Sequence, residues 1–230
     1  MEISKKISHV IYDLDGLLLD TESLHAQVNA TLARAHGKTF TKALKSQMTG
    51  RPSIESAQLA VETLSLPLTA KEYMDRRNEY LFELFPRAKP MPGAVRLTYH
   101  LYRHGVPQAV ATSTARYPFS LKTSRHQEWF SIFDCVVLGD DPAVKQGKPE
   151  PDIFTVTAER LQAPPETCLV FEDSPAGVLA ARAAGMSVVV VPAADADRSL
   201  YPEGTVFLSS LADIDLSVWS LPAFESFEAS

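Results

Sequence analysis

The chain has 230 residues, 45% hydrophobic and 22% charged, with 22 Lys plus Arg against 28 Asp plus Glu and a formal net charge of -6. This composition belongs to a folded protein rather than a disordered one. Its acidic balance excludes nucleic acid as the main partner, because a phosphate backbone requires a basic footprint. No apolar run approaches the roughly 20 residues of a membrane span. The opening MEISKKISHVIYDLDG has only a strand-length apolar run, without a signal peptide's longer apolar core and cleavage site. A cytoplasmic monomer is expected. Cys135 and Cys168 sit inside apolar runs and read as buried free thiols.

In chain order, residues 9–13 (HVIYD) form the first continuous apolar run, the pattern of a strand buried on both faces. Three helices then follow with no strand between them. One is capped by Asp20 or Thr21 and runs to about His36. Another begins at Ser53 and ends before Pro67. The third begins at Thr69 and ends at Pro86, with Glu72 completing a capping-box pattern. Residues 86–93 (PRAKPMPG) hold three prolines and a glycine and read as a linker. From there helix and strand alternate: helix 93–104, strand 108–112, helix 119–130, strand 135–138, helix 151–161, strand 168–171, helix 175–184, strand 187–191. Alternation of this kind predicts a Rossmann-like parallel α/β sheet with helices on both faces. The domain division is an α/β core of 1–20 and 88–230, with a small helical cap, 21–87, inserted into it.

Polar residues gather where the strands end. The first strand runs into Asp13-Leu14-Asp15-Gly16, two carboxylates that are costly at the end of a buried strand unless a cation lies nearby. Ligands of open α/β sheets bind at that edge. An EF-hand is excluded, because Leu17 stands where a ligand is required. The second strand ends in Thr112-Ser113-Thr114, hydroxyls able to hold a phosphate oxygen. After the third comes Gly147-Lys148-Pro149, where the lysine can reach back. A phosphate-binding P-loop is rejected on spacing and because Pro149 replaces its Ser or Thr. The fourth strand ends in Glu172-Asp173-Ser174. Four strand ends thus bring Asp/Asp, Thr/Ser, Lys and Glu/Asp to one edge, a constellation for Mg²⁺ and a phosphate. His100 and His104, four apart on a helix, are a weaker metal pair without acidic or Cys partners nearby.

The order DLDG, a strand ending in Thr, GKPEPDIF and FEDSPAGVLAARAAG resembles the haloacid dehalogenase superfamily over nearly the whole chain. YDLDGLLLDTE, MTGRPSIESA, LKTSRHQEWFSIFD and VVLGDDPAVKQGKPEPDIF are similar to its pseudouridine-5′-phosphatase and glycerol-3-phosphatase group. The resemblance implies that Asp13 is the nucleophile and forms an aspartyl-phosphate. Asp15 would be the general acid and then the base. Thr112 and the neighbouring Ser113 backbone would hold the phosphoryl oxygens, and Lys148 would neutralise charge. It further implies Mg²⁺ held by Asp13, the Asp15 carbonyl and Asp173, with Glu172 binding the metal or orienting its waters. In the cap, His25 and Arg51 are the candidates for substrate contact. The expected function is a Mg²⁺-dependent phosphatase of a small phosphorylated metabolite, pseudouridine 5′-phosphate first and glycerol 3-phosphate second. The alternatives are a β-phosphoglucomutase-like mutase and a non-catalytic binding protein on the same scaffold.

Overall fold

The computed structural model describes residues 6–48 and 53–224. The first apolar run becomes β1 (His9–Tyr12), and a tight loop leads to β2 (Leu19–Asp20). The chain then leaves the sheet for four helices, α1 (Glu22–Ala35), α2 (Lys42–Met48), α3 (Ser53–Leu64) and α4 (Ala70–Leu84). It returns through β3 (Lys89–Pro90) to α5 (Ala94–Arg103), β4 (Gln108–Thr112), α6 (Arg116–Thr123) and α7 (Gln127–Phe130). Then come β5 (Cys135–Leu138), α8 (Asp152–Leu161), β6 (Cys168–Glu172), α9 (Pro175–Ala183), β7 (Ser187–Val190) and β8 (Val206–Phe207).

Six strands form one parallel sheet in the order β5-β4-β1-β6-β7-β8. Side chains alternate across it, so β1 supplies both faces. Val10 and Tyr12 pack with Val110, Phe171 and Leu97 of α5 in one core. Ile11 packs with Val137, Val170, Phe154 of α8 and Val178 of α9 in the other. Covering both faces is why the strands read as unbroken apolar runs rather than alternating ones. Because all six strands run the same way, their carboxyl ends share one edge. Asp13, Thr112 and Glu172 meet there.

The helical unit between β2 and β3 packs its apolar stripe (Leu24, Val28, Tyr73 and Leu81) into a core continuous with that of α5. The Thr69–Glu72 capping box forms as expected, with each side chain bonding the other's backbone N–H. Thr21 precedes α1 but does not cap it with its side chain. Its hydroxyl donates instead to Asp15 Oδ1 at 2.7 Å.

Four features depart from the sequence expectation. The linker at 86–93 is not free, because β3 pairs antiparallel with β2, Leu19 facing Pro90 and Asp20 facing Lys89. The two crossings into the helical unit are therefore zipped together. The helix expected over 119–130 is two, α6 and α7, with a turn between them. There His126 Nε2 donates to the Ala88 carbonyl at 2.8 Å, tying the turn to the return linker. Helix α2 and edge strand β8 were absent from the expected elements. Both cysteines are free thiols, Cys168 buried and Cys135 half-buried.

Candidate active site

Asp13 follows β1 directly, and its backbone N–H donates to the Phe171 carbonyl at 3.0 Å, extending the β1–β6 ladder by one residue. Lys148 reaches it from the loop after β5. The ammonium donates to Asp13 Oδ1 at 2.6 Å, to Glu172 Oε1 at 2.6 Å and to the Ala111 carbonyl at 3.2 Å. All three side chains are buried, Glu172 completely. Burial pushes the Asp13 carboxyl up, Lys148 pulls it down, and Glu172 and Asp15 raise it again, leaving it at about 7. Burial alone would lower the Lys148 pKa, but Asp13 and Glu172 outweigh it and hold the ammonium charged.

Glu172 has no spare acceptor facing the cleft. Its Oε1 takes Lys148, and its Oε2 takes the backbone N–H groups of Asp173 and Ser174 at 3.0 Å and the Ser174 hydroxyl at 2.9 Å. The same Ser174 hydroxyl accepts from Gly177 N–H and caps α9. Gly177 has to be glycine here, since a Cβ would fall on the Glu172 carboxylate. The carboxylate is thus held by a helix N-terminus and in turn holds Lys148.

Asp15 is partly exposed, but both of its carboxylate oxygens accept hydrogen bonds. Lys122 Nζ donates to its Oδ1 at 2.6 Å beside Thr21, and the Thr114 hydroxyl donates to its Oδ2 at 2.5 Å. Burial would raise its pKa, but the Lys122 cation and these hydrogen bonds hold the carboxyl below the ordinary aspartate range. Lys122 is almost wholly buried, lies over the Phe85 ring and also donates to Thr114. It is given no role by the sequence, although it lies in the LKTSRHQEWFSIFD stretch. Thr112 is buried, its hydroxyl accepting the Thr114 N–H, while Ser113 beside it is exposed.

Asp173 completes the edge. Gly16 turns the chain with φ +78°, and a Cβ there would strike the Asp173 carboxylate, so the loops leaving β1 and β6 meet across a glycine. Burial, then Glu172 and Asp13, push the Asp173 carboxyl far above its ordinary range. Among the described residues nothing donates a hydrogen bond to Asp13 Oδ2 or to the Asp173 carboxylate, and no three His, Cys, Asp or Glu side chains converge as a metal cluster. Three carboxylates face one lysine, a surplus of two negative charges when all are ionised. A hard divalent cation fits that donor set. Mg²⁺ binds through one or two carboxylates and keeps its waters, and Asp13 and Asp173 are the pair left open.

Above this edge lies a cavity of about 470 Å³ with Asp173, Ser174 and Tyr201 on one side and Glu22, His25, Tyr73 and Arg77 on the other. His25 is there as expected. Arg77 Nη2 lies 2.7 Å from its Nδ1. A guanidinium can only donate, so Nδ1 accepts and the ring proton sits on Nε2. Burial, and then Arg77, lower the imidazole pKa to about 3. Arg51 lies outside the described residues. The His100 and His104 rings are 4.3 Å apart, but their nitrogens bond the Pro222 and His100 carbonyls, so they anchor backbone rather than a metal.

A parallel sheet edge carrying a lysine-bridged aspartate, a second aspartate two residues on and a helix-held acidic pair defines a hydrolase class. Residues 7–185 match the model of the haloacid dehalogenase-like hydrolases, and the chain belongs to that family. It is 45% identical over 224 residues to (DL)-glycerol-3-phosphatase 2 of Arabidopsis thaliana, covering 95% of this chain and 93% of that one. It is 41% identical over 226 residues to a Drosophila melanogaster protein named "Probable pseudouridine-5′-phosphatase", covering 97% and 98%. Among solved structures, a provisionally assigned β-phosphoglucomutase from Thermotoga maritima superposes with TM-score 0.76 at 30% identity, over 93% of this chain and 97% of that one. A variant of CbbY from Rhodobacter sphaeroides in complex with xylulose-(1,5)bisphosphate gives 0.73 at 26%, over 94% and 100%. The protein is an enzyme of this family, a phosphatase.

Proposed function

We propose that this enzyme hydrolyses the phosphate monoester of a small hydroxylated alcohol through an aspartyl-phosphate on Asp13, with Mg²⁺ as cofactor. One observation carries the reading: Asp13 is ionisable, buried and bridged by Lys148 at a sheet edge, with one oxygen bonded to the lysine and the other open. A carboxylate needs no activating base to attack phosphorus. Its Oδ forms a bond to phosphorus as the ester P–O bond breaks; Asp15, ionised in the resting fold, takes the proton of the monoanionic ester and gives it to the departing alkoxide. Water then attacks phosphorus and loses a proton to Asp15. The acyl-phosphate bond opens, which restores the Asp13 carboxylate and releases phosphate. Lys148 offsets the repulsion between anionic ester and anionic nucleophile, and Thr112 and the Ser113 backbone hold phosphoryl oxygens. Bound by Asp13, Asp173 and the Asp15 carbonyl, Mg²⁺ would supply further charge neutralisation for the transferring phosphoryl group. Glu172 serves in this reading by holding Lys148 and the start of α9.

Residues 21–87 act as a cap that bears the leaving-group side of the cavity. The relatives' names support two substrates, glycerol 3-phosphate and pseudouridine 5′-phosphate. Both are monoesters of a hydroxylated alcohol. The test is phosphate release from each, with 4-nitrophenyl phosphate as a generic ester, in Mg²⁺ and in excess EDTA. Release from at least one metabolite, lost in EDTA and restored by Mg²⁺, is expected without any bisphosphate activator. Full activity in EDTA would remove the metal, and a requirement for a sugar bisphosphate would favour a mutase.

A further inference from the structure

Helices α1 and α4 are joined by two rungs, one helical turn apart on each helix. In the first, Tyr73 OH donates to Asn29 Oδ1 at 3.0 Å, and both residues are buried. In the second, Arg77 donates to His25 at 2.7 Å, and both residues line the cavity. The two rungs differ in one respect. Tyr73 has spent its only hydroxyl proton on Asn29. Arg77 carries five N–H donors, and its hydrogen bond among the described residues is the one to His25. Its Nε is buried with no acceptor among the described residues, an arrangement proteins seldom leave unfilled. His25, with Nδ1 occupied, keeps one N–H at Nε2.

We infer that Arg77 and His25 form a donor subsite that reads uncharged oxygen, hydroxyl or carbonyl, on the alcohol being released. This rests on the phosphatase reading above and sharpens its substrate class. The acceptor is uncharged because Glu22, Asp195 and Asp197 line the same cavity and would meet a second anion with like charge, while Lys45 on that lining is already paired with Asp195. The cavity, at about 470 Å³, has room for a polyol or a ribosyl group. A site built to bond a substrate hydroxyl rejects the analogue lacking it, because its donors are then left unpaired. Tyr73 and Asn29 hold the two helices so that this pair stays in register.

The test compares glycerol 3-phosphate and pseudouridine 5′-phosphate each with n-propyl phosphate, an unactivated alkyl ester without hydroxyls, and keeps 4-nitrophenyl phosphate as the generic ester. In the unaltered enzyme the better hydroxylated metabolite should exceed its unhydroxylated partner in kcat/KM by about 10- to 100-fold, the range for bonds to a charged donor. Arg77→Met should lose most of that preference, mainly through KM, with a loss on the metabolite at least ten times that on the partner ester. Arg77→Lys should recover part of it. Equal losses on both esters, or a preference kept in Arg77→Met, would overturn the subsite and leave the phosphatase reading standing. Hydrolysis of 4-nitrophenyl phosphate but of neither metabolite would overturn the substrate reading, and the subsite with it. The comparison of esters in the unaltered enzyme needs no variant to fold, and an absent preference there would also overturn the subsite. A preference for a bisphosphate over both metabolites would do the same.

Discussion

The two walls of the cavity are built in opposite ways. On the core wall nearly every polar atom is matched: Lys148 bridges Asp13 and Glu172, Glu172 is saturated by the start of α9, and Asp15 is held by Lys122, Thr114 and Thr21. What remains open there is negative, at Asp13 Oδ2 and Asp173. On the cap wall the open groups include donors, on Arg77 and His25, beside the Glu22 carboxylate. A preorganised core suits chemistry common to every phosphate ester. An underfilled cap suits a partner that varies, the alcohol. The titratable groups of the two walls shift in opposite directions, each toward its neutral form. Burial raises the pKa of Asp13 toward charge loss, whereas burial and Arg77 strip the proton from His25.

The largest expected effect comes from the core wall. Asp13→Asn should lower kcat by at least about 10³-fold, because it removes the proposed nucleophile. Its fold should survive, since Lys148 keeps Glu172 and the Ala111 carbonyl and an amide oxygen can accept where Oδ1 did. In metal-free protein at neutral pH the variant should melt no lower than the parent, because it removes a carboxylate whose ionised form the fold disfavours. Kinetics and a melting curve with chelator check both. A melting temperature lowered by many degrees would show that Asp13 is chiefly structural, and the matched core wall would need another explanation.

Lys122 tests whether matching on that wall serves catalysis or only stability. Lys122→Met leaves Asp15 with two hydroxyl partners and no cation. Removing one side of a mostly buried pair is expected to cost about 2–4 kcal/mol and to reduce kcat about 10- to 100-fold through a misplaced acid–base group. The acid–base limb of the kcat–pH profile should move upward, since Lys122 holds the Asp15 carboxyl down. A variant with the lower melting point but the parent's kcat and pH profile would reduce Lys122 to a strut.

Much of the core wall is legible in the sequence because a buried parallel strand announces itself by an unbroken apolar run, and its end is marked by the first polar residues. Asp13, Thr112, Glu172 and Asp173 are found that way, and strands 108–112 and 135–138 have the observed bounds. Lys148 is found because a proline-rich helix start follows it. Lys122 is hidden because it lies within a helix, with no strand end to mark it. Its only signal is a lysine on a segment otherwise bounded by Phe119 and Phe130. The cap wall is less legible for a related reason. Arg77 sits next to Arg76 in a run of charges, and composition cannot separate them. Spacing could have done so, because Arg77 falls midway between Tyr73 and Leu81 on the buried stripe. The β2–β3 zipper is two residues long on each side and one of them is proline, too short for any periodicity.

The smallest effect separates the two walls by pH. His25 is uncharged in the fold down to about 3, while an unfolded chain takes up that proton near the ordinary value of 6.5. Between those values the unfolded state binds more protons at this site, so the His25 contribution to stability is lost as pH falls from 6.5 toward 3, by up to ~1.4 kcal/mol per pH unit. Asp13 works in the other direction. Its folded value of about 7 exceeds the ordinary 3.8, so in metal-free protein its contribution falls as pH rises between them. The two slopes oppose each other from about pH 4 to 6.5, so the parent's own curve hides both. His25→Asn keeps an acceptor for Arg77 and has no proton to gain. Relative to the parent, it should gain melting temperature as pH is lowered from 6.5 to 4.5. Asp13→Asn, measured alike in chelator, should lose relative melting temperature over the same span. The groups acting on His25 are Arg77, Asp15 and Lys122, none of which the Asn variant alters. Parallel curves for His25→Asn and the parent would mean that the imidazole titrates normally, and the Arg77–His25 contact would then not fix the proton on Nε2.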